Sequence, residues 1–174
     1  LINNEKCSLR ERFSMLKKYI PMLDNWAVCD SYCANAKWMA KADKEALWCF
    51  LQQWFKSNRE FDVRFAIVAS MTYLLDKEWL EHVFQRINKL DFSSIKSEYT
   101  TTNKKSETPQ EGTVQGVGPY YVRMGTAWLL ATALAKFPEE TKTFVRTSDL
   151  PEDIIKLYVR KAKESFRTRH TEAL

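Results

Sequence analysis

Asn25-Trp26-Ala27-Val28-Cys29-Asp30 is the stretch on which the reading of this chain turns, together with Asp62-Val63-Arg64-Phe65-Ala66-Ile67 and the later Trp128. On a helix Trp26 and Asp30 are i and i+4, so an indole face and a carboxylate project from one stripe toward one place. An indole beside an acid makes a poor core contact and a good site for a cationic ligand, because the ring face carries negative potential and the carboxylate a full charge. The same helix is otherwise apolar around Asp30, with Val28, Cys29 and Cys33, so this acid requires a partner or an open cleft. Capping a neighbouring helix, pairing with Arg64 and lining a site would each satisfy it.

Outward from that stretch, the chain reads as one helical domain. Its 174 residues, 45% of them hydrophobic, suffice for a sizeable core. Only four Gly and five Pro occur, and apolar residues recur at spacings of three and four rather than two, which predicts an all-α protein with almost no sheet. Ser8 caps a helix over about 9–20 that Pro21 ends, and Asp24 or Asn25 caps the next, to about Ala34. Asp43 starts a third, burying Leu47, Phe50, Leu51 and Trp54. Others are expected over about 60–75, 77–90, 119–137, 138–146 and 151–167, the last three opened by Pro119, Pro138 and Pro151. Short turns between such helices favour antiparallel pairs, the logic of a helical solenoid, although no fixed repeat period is legible and a globular bundle would satisfy the pattern equally.

Residues 96–118 interrupt the pattern. Three basic and three acidic residues cancel there, apolar residues are scarce, and three of the four glycines fall within it, so a flexible inserted surface loop is expected. A tolerated insertion and a flap that contacts the ligand are both open.

Charge and cysteine content narrow the classes further. A balance of 27 Lys+Arg against 22 Asp+Glu gives +5, compatible with a polyanionic partner without demanding one. Cys7, Cys29, Cys33 and Cys49 follow no zinc or redox spacing and read as free thiols in a reducing compartment; His82 and His170 stand outside the motif segments, so no metal site is expected. No apolar run reaches the length of a membrane span, and no leader precedes the first helix, which reads as a cytoplasmic monomer with no membrane partner.

The order Trp-x-x-x-Asp, then Val-Arg-Phe-Ala-Ile, then an apolar helix holding Trp128 resembles the DNA alkylation repair family, in particular the alkylpurine DNA glycosylases of the AlkD type, in register from about Leu9 to Arg167. The resemblance implies HEAT-like antiparallel helical repeats forming a curved superhelix with a concave face for duplex DNA. It implies a glycosylase that needs no cofactor and excises positively charged N3- or N7-alkylpurines, with Asp30, Trp26 and Trp128 catalytic. Arg64 is expected at the site rim on a phosphate, an ion pair with Asp62 or Asp30 being the alternative. Chains of this family usually carry helices before the Trp-x-x-x-Asp segment, so this sequence, beginning at Leu1, is expected to start inside a longer protein. The relatives cross residues 96–118 with a short turn, and they often carry an arginine where this chain has Ala131.

Lys156, Arg160, Lys163 and Arg167 fall at i, i+4, i+7 and i+11, one stripe of the last helix, and are candidates for phosphate contacts as well as for a solvated face. From another class, a non-catalytic HEAT-like module binding DNA or a protein accounts for the same pattern.

Overall fold

The structure, a computed structural model, describes residues 2, 3, 6–96 and 119–174. Of the loop expected over 96–118 only Lys96 is included, and the remainder lies outside the described residues. The described helices are α1 (Leu9–Tyr19), α2 (Trp26–Asn35), α3 (Lys44–Phe55), α4 (Glu60–Tyr73), α5 (Leu80–Asn88), α6 (Tyr120–Lys136), α7 (Pro138–Thr147) and α8 (Glu152–Glu164), with 3-10 turns at Ile20–Met22 and Lys37–Lys41. Among the described residues there is no strand, only a single bridge between Arg59 and Lys96. The fold is all-α.

Helix starts follow local chemistry. At α1 the Ser8 hydroxyl accepts the Glu11 N–H (3.3 Å) while the Glu11 carboxylate accepts the Ser8 N–H (2.8 Å), a reciprocal cap. The Asn25 side-chain Oδ1 accepts the Val28 N–H at 2.9 Å, and the Asp43 carboxylate accepts that of Ala46 at 2.7 Å.

Three ends differ from the sequence expectation. α1 ends at Tyr19, a residue short of the expected end, and Pro21 lies inside the 3-10 turn Ile20–Met22 that follows it. The helix expected from Lys77 begins at Leu80, because the Asp76 carboxylate takes the N–H groups of Glu78 and Trp79, both at 3.1 Å, and holds a turn. The last helix ends at Glu164 rather than near Arg167. Ser165 is extended, and the N–H groups of Thr168 and Arg169 turn back to its carbonyl at 3.1 and 2.8 Å. Phe166 and Arg167 therefore leave the helical stripe.

Packing sorts the helices into two rows. Successive even-numbered helices lie on one another, α2 on α4, α4 on α6 and α6 on α8, while α3 packs against α4 and α7 against α6. The odd-numbered helices touch through rings. Phe13 of α1 stacks on Phe50 of α3 at 4.2 Å, Trp48 of α3 meets Trp79 and His82 at the start of α5, and Phe84 of α5 stacks on Phe144 of α7 at 4.3 Å. Helix α4 is central, with every residue from Glu60 to Met71 buried. A helix that is apolar nearly all round has no solvent face to offer, so its three charged side chains must find partners inside. Glu60, fully buried, accepts the Tyr121 N–H at 2.6 Å and caps the first turn of α6, where the helix dipole favours a carboxylate. Asp62 accepts from Ser57 Oγ at 2.7 Å and from Arg59 at 3.3 Å. Arg64 belongs to the site.

Candidate functional site

The α2 cap determines what α2 displays. With Asn25 fixed outside the helix, Trp26 is its first residue, and Cys29 and Cys33 turn fully inward. Trp26 stays 51% exposed and Val28 45%, while the Asp30 side chain, between the two faces, is 16% exposed. Burial, hydrogen bonding to Cys29 and the nearby charge of Asp30 push the Cys33 thiol up, so it stays protonated behind the carboxylate. All four cysteines are free: Cys29 and Cys33 are buried, Cys7 is half-buried and Cys49 is exposed.

Arg64 reaches Asp30 from α4. Its Nε donates to Oδ1 at 2.9 Å and its Nη2 to Oδ2 at 2.7 Å, a two-pronged pair that fixes the plane of the carboxylate. Its Nη1 donates to the Tyr121 carbonyl of α6 at 2.6 Å, so one planar group ties together α2, α4 and α6. Of the two roles expected of Arg64, the structure shows the ion pair with Asp30. The residue is only 4% exposed and lies beneath the carboxylate rather than at a rim.

Gly125 makes room for this arrangement on α6: a Cβ there would meet Arg64 Nη1 at 3.4 Å and Cγ at 3.9 Å. Tyr121, Gly125 and Trp128 are i, i+4 and i+7, one stripe of α6, so the register that rests the helix on Arg64 also sets Trp128 along that stripe. Trp128 is 40% exposed. The two candidate indoles and Asp30 thus all belong to the even row, on helices that Arg64 holds directly. Gly125 is the one glycine outside residues 112–118, a signal legible in the sequence without saying what it contacts, whereas Glu60, between Arg59 and Phe61-Asp62, gave no such signal.

The α8 stripe is exposed but divided. Lys156 pairs with Glu152 at 2.8 Å, and Glu164 takes Arg160 at 3.4 Å and Lys161 at 2.8 Å. Lys163 and Arg167 have no ion-pair partner among the described residues. Arg167, displaced by the early end of α8, comes instead to a groove against α6, with Trp128 and Ala131. Phe166 beside it is 80% exposed. Among the described residues no three His, Cys, Asp or Glu side chains cluster as metal ligands, and no helix is long and apolar enough to cross a membrane.

Taken together, the two rows form a helical protein in which a buried arginine orients a carboxylate near one exposed indole and props the helix that carries another. A family model described as DNA alkylation repair enzyme matches residues 1–93, more than half of the 174. The chain belongs to that family, which places it among enzymes of DNA alkylation repair with DNA as partner. The matched part carries Trp26, Asp30 and Arg64, whereas Trp128 and α8 lie beyond it. No curated protein and no solved structure matched the chain.

Proposed function

We propose that this protein is a DNA glycosylase that hydrolyses the N-glycosidic bond of cationic N3- or N7-alkylpurines in duplex DNA, the lesion lying along a concave face made by the even row. The observation that carries the reading is the Asp30 carboxylate, oriented by both prongs of Arg64 and still partly open to solvent beside the exposed Trp26.

Alkylation at N3 or N7 makes the base a cation. When the C1′–N bond breaks, its electron pair goes to the purine, which leaves neutral, so no side chain has to protonate it. Positive charge instead grows on the deoxyribose. A fixed carboxylate there stabilises it more than it stabilises the ground state, because the donors that orient it need not rearrange. Water adds at C1′ and loses a proton, which Asp30 accepts or passes to solvent. Trp26 and Trp128 present ring faces to the cationic nucleotide. Arg64 acts as a positioning residue, through Asp30. Lys163 and Arg167 supply phosphate contacts, and Lys156 and Arg160 do so by exchanging Glu152 and Glu164 for DNA.

One observation favours a non-catalytic DNA-binding module: both Asp30 oxygens are already engaged by Arg64, which would equally serve a purely structural tie. Single-turnover release of 7-methylguanine from a defined duplex separates the two readings. The wild type is expected to release the base well above the spontaneous rate, and Asp30→Asn to fall by roughly 10² or more with circular dichroism unchanged. No release by the wild type would assign the chain to binding alone.

A further inference from the structure

A groove of about 410 Å³ runs between α6 and the end of α8 with the segment that follows it. Its lining includes the aromatic Trp128 and Phe166, the small Ala131 and Ala135 of α6, and Arg167. Phe166 is 80% exposed, an unusual position for a large ring on a chain whose other phenylalanines are buried or packed against the core. Its ring is held by the Arg169 guanidinium at 4.6 Å, so it is steadied in solvent rather than left to sweep. The acid in the groove, Glu164, is neutralised by Lys161 and Arg160, which leaves Arg167 as an uncompensated cation in its lining.

We infer that this groove binds a single nucleotide displaced from the DNA duplex, its base against the Trp128 and Phe166 rings and its phosphate on Arg167. The inference rests on DNA being the partner and adds a second subsite to the reading above. Base faces stack on aromatic side chains whatever the base, and a guanidinium matches a phosphate, so an aromatic lining with a cation suits a nucleotide better than an apolar peptide. The small residues at 131 and 135 leave the depth a planar base requires. Trp128 is one of the two indoles that the reading above sets against the lesion, so the displaced nucleotide is a neighbour of the lesion or its opposite partner.

The test uses unmodified DNA, which keeps it independent of base release. Binding of the protein to a fluorescein-labelled duplex with one unpaired nucleotide is compared with binding to the fully paired duplex by anisotropy at one salt concentration. The wild type should prefer the bulged duplex about tenfold. Phe166→Ala, at an exposed position where truncation leaves folding intact, should bring that ratio to about one, and Phe166→Trp should restore it. Equal affinities in the wild type, or an unchanged ratio in Phe166→Ala, would overturn the proposal. If the wild type shows the preference but releases no 7-methylguanine, the groove stands and the glycosylase reading fails; release without the preference gives the reverse.

Discussion

Trp79 in the odd row and Trp26 in the even row are the same side chain set to different tasks. The odd-row rings meet one another: Phe13 on Phe50, Trp48 against Trp79, Phe84 on Phe144. The even row turns this around, leaving Trp26 and Trp128 half in solvent and taking charges inside. Arg64 ties α2 to α4, and Arg123 pairs with Asp153 to tie α6 to α8. Burying a ring against a ring is favourable by itself, whereas burying an ion pair roughly breaks even and fixes geometry rather than adding stability. Ring-on-ring contacts thus fasten the odd row, while the even row, with α4 as its buried centre, also carries the ion pairs that fix how α2, α4, α6 and α8 are arranged.

The sharpest way to break that contrast is to truncate one ring in each row. Phe84→Ala removes a 2% exposed ring stacked on Phe144, so a loss of about 3–5 kcal/mol is expected from urea unfolding. Trp26→Ala should cost about 0.5 kcal/mol or less in the same measurement while slowing 7-methylguanine release about tenfold. If Trp26→Ala destabilised as much as Phe84→Ala, the division of labour between the rows would be wrong.

A smaller effect sharpens the α8 face. Replacing Lys163 and Arg167 together by Gln should flatten the plot of log duplex affinity against log salt by about two units. The Lys156→Gln, Arg160→Gln double should flatten it less, since those cations must first give up Glu152 and Glu164. Equal slopes would put all four on one footing.

The smallest expected effect is at alkaline pH. Tyr73 donates to the Cys33 carbonyl at 2.5 Å, and Tyr158 to that of Ala173 at 2.7 Å. Burial pushes both hydroxyls up to about 12. Their unfolded values lie near 10, so the folded state favours the neutral forms. The stability they contribute is complete below pH 10 and lost as pH rises from there through 12. The urea midpoint should hold steady up to pH 9 and fall by pH 11, less so in Tyr73→Phe. A midpoint that rises over that interval would contradict the sign.

Much of this was legible in the chain. The period of apolar residues, the caps at Ser8, Asn25 and Asp43, and the scarcity of glycine specify helices, because these are local preferences expressed within a turn or two. The pairing of Trp26 with Asp30 on one stripe needed only helical geometry. Arg64 could be assigned to Asp30, Asp62 or a phosphate on residue type alone, since a guanidinium suits each. The end of α8 was misplaced because Phe166 and Arg167 continue the helical spacing, while the turn closes through hydrogen bonds from Thr168 and Arg169 to Ser165 and from Thr168 Oγ1 to Ala162.

By itself, then, the sequence determined that the chain is helical, where most helices begin, and which few residues are candidates for a site. Those are consequences of spacing and side-chain type. Only the tertiary structure decided that Arg64 serves Asp30, that two tryptophans of six remain open, and that Arg167 joins Trp128 across a groove. Each depends on residues dozens of positions apart, such as Asp30, Arg64 and Tyr121, meeting where α4 runs between α2 and α6. Such meetings are set by which helix faces bury against which, and no local preference encodes that choice.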